Sequence, residues 1–195
     1  GFGFARGEQL GSLGLVGLHG RGRRNALKIR IVHNDVRLAA LPAAFDGYTI
    51  LHLSDLHLDM SEDFVQALIE RVRRVDYDLC VLTGDYRFRT RGPYEPALAG
   101  LARLRPHLKE PVYAVLGNHD SIRMVPGMED LGIRVLLNES TRIERAGATI
   151  HLAGIDDAHY YRVDNLHKAA HDIPHHEVSI LLSHTPEAYR HAAHA

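Results

Sequence analysis

Apolar and polar residues alternate along this chain in short blocks of changing period. Residues 48–54, 79–83 and 112–116 are compact apolar runs of strand length, each followed by a polar loop. Between the first two, Phe64, Val65, Leu68, Ile69 and Val72 recur at helical spacing. Ser61 stands where an N-cap belongs, Glu62 and Asp63 fall in the first turn, and Arg71, Arg73 and Arg74 close the last, as the helix dipole favours. A second helix is predicted over 96–104, with Leu98, Leu101 and Leu104 on one side. Further on, 133–137, 141–145 and 149–153 read as short strands joined by tight turns such as Ala146–Gly147, in the manner of a meander. A last apolar strand covers 178–183, and Thr185–Pro186 opens a short final helix. Upstream, Ile29 and Ile31 flank Arg30 while Val36 and Leu38 flank Arg37, which predicts a strand over 28–38 broken near Asn34–Asp35. Strands alternating with helices imply an α/β layered fold with parallel pairing.

Length and composition narrow this picture. The 195 residues suit one domain, and 45% hydrophobic with 24% charged residues excludes wholesale disorder, collagen-like repeats and coiled coil. The single cysteine, Cys80, excludes an intrachain disulfide and a cysteine-based zinc cluster, and inside an apolar strand it reads as a small core residue. A net charge of −1 argues against a whole-surface grip on nucleic acid, and no apolar run approaches the roughly 18 residues of a membrane span. Residues 1–27 stand apart as a Gly-rich, basic leader in which Arg21, Arg23 and Arg24 precede Lys28 and Arg30. We read it as peripheral; the alternative is an interfacial segment touching an anionic membrane. With no initiator Met, the sequence is expected to be a piece cut at both ends.

Fifteen histidines draw attention to metal or acid–base chemistry. Their positions matter more than their number. The first strand ends in Ser54-Asp55-Leu56-His57, the second in Thr83-Gly84-Asp85, the third in Gly117-Asn118-His119-Asp120 and the last in Ser183-His184. Open α/β sheets gather ligands at such strand ends. Each string alone has an ordinary reading as a turn or cap. Converging on one rim, they form an oxygen and imidazole set that suits Mn, Fe or Zn.

The strings Leu-Ser-Asp-Leu-His-Leu, Leu-Thr-Gly-Asp-Tyr, Val-Leu-Gly-Asn-His-Asp, Leu-Ala-Gly-Ile-Asp-Asp and Leu-Ser-His-Thr-Pro-Glu resemble the calcineurin-like metallophosphoesterases, in wording closest to small bacterial phosphodiesterases similar to YkuE and YaeI. The resemblance runs from about Ala40 to the end. It implies a four-layer αββα sandwich of two mixed sheets, with 28–195 as the domain and its second sheet incomplete. It further implies two divalent cations: Asp55 and His57 on the first, Asp85 bridging, Asn118 and His184 on the second. A hydroxide bridging the metals would be the nucleophile, His119 the general acid for the leaving oxygen, and Asp120 the residue orienting its imidazole.

The expected substrate is a phosphodiester or pyrophosphate, small or lipid-linked, UDP-diacylglucosamine being one candidate. The expected location is cytoplasmic, at the inner membrane face. Nuclease action is a weaker expectation, since no long basic run lies beyond the N-terminal cluster. Family members of this kind carry a later Gly-His-Thr-His motif that this sequence lacks. That absence keeps open a non-catalytic metal-binding or scaffolding role. Arg87 and Arg89 are read either as contacts for substrate phosphate or as solvated loop residues. Asp156, Asp157, His159, Tyr160 and Tyr161 are read as pocket lining or as a turn with surface aromatics. His167, His171, His175 and His176 are read as surface residues, and the His191–His194 pair as a solvated helix end.

Overall fold

The computed structural model describes residues 27–188 and residue 190. The leader expected over 1–27, apart from Leu27, and the His191–His194 pair lie outside these residues.

Two sheets form the centre. The first contains β1 (Ile50–Leu53), β2 (Leu79–Thr83), β3 (Val112–Val115) and β4 (Arg134–Val135), all parallel and paired in chain order. The second contains β5 (Glu139–Arg145), antiparallel to β6 (Ala148–Gly154), which pairs in parallel with β7 (Ser179–Leu182). The helices are α1 (Glu62–Val72), α2 (Glu95–Leu104), α3 (Val125–Asp130) and α4 (Leu166–Ala170).

β2 shows why the layers stack as they do. All five of its residues are buried, and successive side chains point to opposite faces. Cys80 and Leu82 face Val65, Leu68, Leu101 and Met128 of the helices. Leu79 and Val81 face Ile143, Ile150 and Leu152 of the second sheet. Beyond that sheet, Ala153 and Leu181 meet Leu166 and Ala169 of α4. The order is therefore helices, sheet, sheet, helix, the four-layer sandwich expected. Burial also pushes the Cys80 thiol up to about 12, as suits a core residue with no reactive role.

Helix α1 starts where its sequence says. Ser61 Oγ accepts from the Phe64 N–H at 3.3 Å, and Val65, Leu68, Ile69 and Val72 are buried. Three expectations change. The first sheet is wholly parallel rather than mixed. Residues 28–38 form no strand, because among the described residues no neighbouring strand takes up their backbone groups; Ile29 rests against the core and 31–38 lie exposed. The meander over 133–153 is split: β4 extends the first sheet, while β5 and β6 form a hairpin in the second. Alternation of residue types sets which face is buried but not which sheet a strand joins. The short helix α3 had no pattern strong enough to predict it. Among the described residues no helix is long and apolar enough to cross a membrane.

Candidate metal centre

The loops after β1 and β2 continue side by side beyond the sheet. The N–H groups of Asp55, His57 and Leu58 donate to the carbonyls of Gly84, Asp85 and Tyr86 at 3.1, 3.0 and 2.7 Å. This ladder places Asp55, His57 and Asp85 together, and it bends the chain to do so. Those three residues have φ of 54°, 41° and 56°, left-handed values at which a residue with a side chain is strained by about 1–3 kcal/mol. Asp and His tolerate this region better than bulky residues do. The loop after β3 comes equally close: a Cβ on Gly84 would sit 2.4 Å from Gly117 N, and one on Gly117 2.3 Å from Asp85 Oδ1. Both glycines are required by that approach.

Asp120 joins these loops. Its Oδ2 accepts from the N–H groups of Asp85 (2.7 Å) and Gly117 (2.8 Å), and its Oδ1 from Tyr86 (2.9 Å) and, more weakly, Arg87 (3.4 Å). Burial pushes its carboxyl up to about 6; the Asp85 charge adds to this, and the backbone N–H bonds pull the other way. These bonds run to backbone rather than to the His119 ring, so Asp120 acts here on the loops and not on the imidazole. Beneath it, the buried Tyr86 hydroxyl donates to the Val115 carbonyl at 2.7 Å and fastens β2 to β3.

Asp55, Asp85 and His184 each offer one ligand atom, and these atoms all lie within 4.8 Å of one another. His184 arrives from β7, so the centre straddles both sheets. Its Nδ1 lies 2.8 Å from the Thr83 carbonyl. A carbonyl only accepts, so Nδ1 is the donor in that bond and Nε2 is the atom turned to the centre. Nε2 lies 3.0 Å from Asn118 Oδ1 and 3.6 Å from Asp85 Oδ1. Two oxygens and an imidazole nitrogen thus converge there. The donor set of carboxylate, amide oxygen and imidazole therefore fits a divalent metal.

His57 falls outside the 4.8 Å group, but it is prepared in the same way: its Nδ1 donates to the Arg87 carbonyl at 2.9 Å, leaving Nε2 free. His119 sits beside these ligands, its ring 5.7 Å from that of His57 and its Nε2 3.8 Å from Asp85 Oδ2. The His119 N–H donates to Asp85 Oδ1 at 2.9 Å, and its Nδ1 lies 3.4 Å from Thr90 Oγ1.

Arg87 departs from both readings of the sequence. It is 4% exposed, so it is neither solvated nor held out toward a phosphate. Its guanidinium donates to the backbone carbonyls of His119, Thr90 and Gly92. Arg89 is exposed, as are His167, His171, His175 and His176. The 156–164 loop is ordered by Asp157, whose buried carboxylate accepts from the N–H groups of Tyr160 and Tyr161 at 2.7 and 2.5 Å. Tyr161 donates its hydroxyl to the Asp120 carbonyl at 3.3 Å, which sets this loop beside the centre. The carbonyls of Thr83 and Arg87 were invisible to sequence reasoning, since a backbone acceptor leaves no mark on residue type.

Among solved structures, the chain is similar to NAD nucleotidase of Haemophilus influenzae, with a TM-score of 0.53 at 16% identity over 75% of this chain and 36% of that one. That likeness concerns the fold. Among curated proteins it is 38% identical over 117 residues to the uncharacterized metallophosphoesterase YkoQ of Bacillus subtilis (strain 168), covering 55% of this chain and 43% of that protein. It is 28% identical over 138 residues to a transmembrane protein with metallophosphoesterase domain of Danio rerio, covering 66% of this chain and 31% of that protein. The chain thus spans less than half the length of these relatives. The family model for calcineurin-like phosphoesterases matches residues 48–195, which includes every strand and helix described above, and the chain belongs to that family.

Proposed function

We propose that this chain carries the catalytic centre of a metal-dependent phosphoester hydrolase. Asp55 and His57 would hold one divalent cation, Asn118 and His184 a second, and Asp85 would lie between them. Bound cations supply Lewis acidity toward a phosphoryl group and lower the pKa of water at the site. The convergence of Asp55, Asp85 and His184 within 4.8 Å, with His119 adjoining, carries this reading.

The chain's own residues divide the remaining work. Thr83 and Arg87, through their carbonyls, hold Nδ1 of His184 and of His57, which would leave each Nε2 for a cation. His119, with its Nε2 3.8 Å from Asp85 Oδ2, would deliver a proton to the departing ester oxygen. Asp120 keeps the β2 and β3 loops in register. A phosphodiester or a pyrophosphate, small or lipid-linked, is the substrate class we favour, on the likeness of the motifs alone. Work at the inner membrane face is likewise a proposal; a relative whose name couples such a domain to a transmembrane protein lends it support.

Metal content and hydrolysis of diphenyl phosphate, whose phenolate leaving group needs a proton, test the reading together. Asp85→Asn is expected to abolish both. His119→Asn is expected to retain metal and lose turnover by about 10²–10⁴-fold. Metal bound tightly without turnover in the unaltered chain would favour the scaffolding role instead, and unchanged turnover in His119→Asn would remove the general acid.

A further inference from the structure

Arg87 links parts of the centre that lie on different loops. Its backbone N–H approaches Asp120 Oδ1, its carbonyl receives the Nδ1 proton of His57, and its guanidinium donates to the carbonyls of His119, Thr90 and Gly92. Thr90, held by its carbonyl in this way, turns its hydroxyl to His119 Nδ1 at 3.4 Å. His119 is therefore held at its backbone by Arg87 and at its ring by a residue that Arg87 holds.

A buried guanidinium is a demanding choice for tying a loop. Five N–H donors in a rigid plane reach several carbonyls at once, which the single ammonium of lysine does only by choosing among them. At 4% exposure each of those donors needs a partner, so the loop over 88–92 and the His119 backbone are fixed by the same group. We infer that Arg87 is a positioning residue that sets the imidazoles of His57 and His119 from one buried cation. The inference rests on the reading of His57 as a ligand and His119 as the general acid. Residue type alone left a phosphate contact or a solvated loop cation; the tertiary contacts turn the same cation inward.

Imidazole ¹⁵N–¹H spectra of the full chain, without added metal, provide the first test. The Nδ1 protons of His57 and His184 are both held by backbone carbonyls, that of His57 by the carbonyl of Arg87 itself, whose loop the guanidinium ties to His119, Thr90 and Gly92. In Arg87→Met, and more mildly in Arg87→Lys, the His57 signal should broaden or vanish while the His184 signal stays. If both persist unchanged, Arg87 does not position His57. If both vanish even in Arg87→Lys, it is merely structural, and either result overturns the proposal.

The second test compares two diesters with the metal-loaded chain. Diphenyl phosphate, which leaves as the poorer phenolate, needs the proton from His119 more than bis(4-nitrophenyl) phosphate does. Arg87→Lys should lose about 100-fold in kcat on the former and less than about 10-fold on the latter, with metal content unchanged. Equal losses would mean no positioning of the acid. Should His119→Asn itself lose equally on both esters, the general-acid reading fails, and the spectra still decide the role of Arg87.

Discussion

Asp120 and Asp157 are each 1% exposed, each follows a strand by a few residues, and each spends its carboxylate on backbone N–H groups. They do different jobs because of where those N–H groups come from. Asp157 collects His159, Tyr160 and Tyr161, all from its own loop. Asp120 collects Gly117 from its own loop, and Asp85 and Tyr86 from the loop after the neighbouring strand. Burying a carboxylate is unfavourable in both places. In one case it shapes a turn, and in the other it holds together the strand ends that carry Asp85 and His119. Sequence distance, not burial, separates a local device from one on which the site depends.

The comparison breaks most visibly at Asp120. Asp120→Ala removes the acceptor of four buried N–H groups, the Arg87 bond being the weakest, and is expected to destabilise the chain by roughly 3–5 kcal/mol, with loss of metal binding. Urea unfolding and metal analysis check both parts.

The pH dependence of the metal-free protein sharpens the same contrast. The Asp120 carboxyl stands at about 6 in the folded chain, above its ordinary value of 3.8, so the folded state holds a proton that the unfolded state has released. The stability from this source is complete below about pH 4 and is lost as pH rises through about 6, by a total on the order of 2–3 kcal/mol. Melting of the chelated protein across that range should show the decline, and Asp120→Asn should flatten it.

Asp157→Ala should act locally. We expect about 1–2 kcal/mol of destabilisation, unchanged metal content and faster tryptic cleavage at Arg162. Smallest of all is Tyr161→Phe, which removes one 3.3 Å bond to the Asp120 carbonyl and should shift stability by about 0.5 kcal/mol. A loss of metal in Asp157→Ala as large as in Asp120→Ala would erase the distinction between the two acids.

The fold was legible wherever a short range of residues decides it. Ser61, the acidic first turn and the apolar stripe locate α1 without reference to anything distant. The five buried residues of β2 read as a strand from hydrophobicity alone. By contrast, 28–38 has alternating residues and no strand, because alternation permits pairing without supplying a partner. The meander failed for a related reason, since the turn after β4 carries the chain from one sheet to the other.

At the centre, the motifs, read from order along the chain, named Asp55, Asp85 and His184, whose ligand atoms meet, but not Thr90, which meets the His119 ring. Their geometry required the fold. His184 is 101 residues from the Thr83 carbonyl that sets its tautomer, and Tyr161 is 41 from the carbonyl it meets. Arg87 shows the limit most clearly. As a residue type it is a cation on a loop, available equally to water, to substrate and to backbone.

By itself, then, the sequence determined which side chains offer ligand-type atoms and that they follow apolar strands, because side-chain chemistry and hydrophobic period are local properties. Tertiary structure decided which sheet each strand joined, which ligand atoms face one another, and that Arg87 turns inward. Those outcomes depend on carbonyls and N–H groups common to nearly every residue, whose partners exist only once distant segments have met.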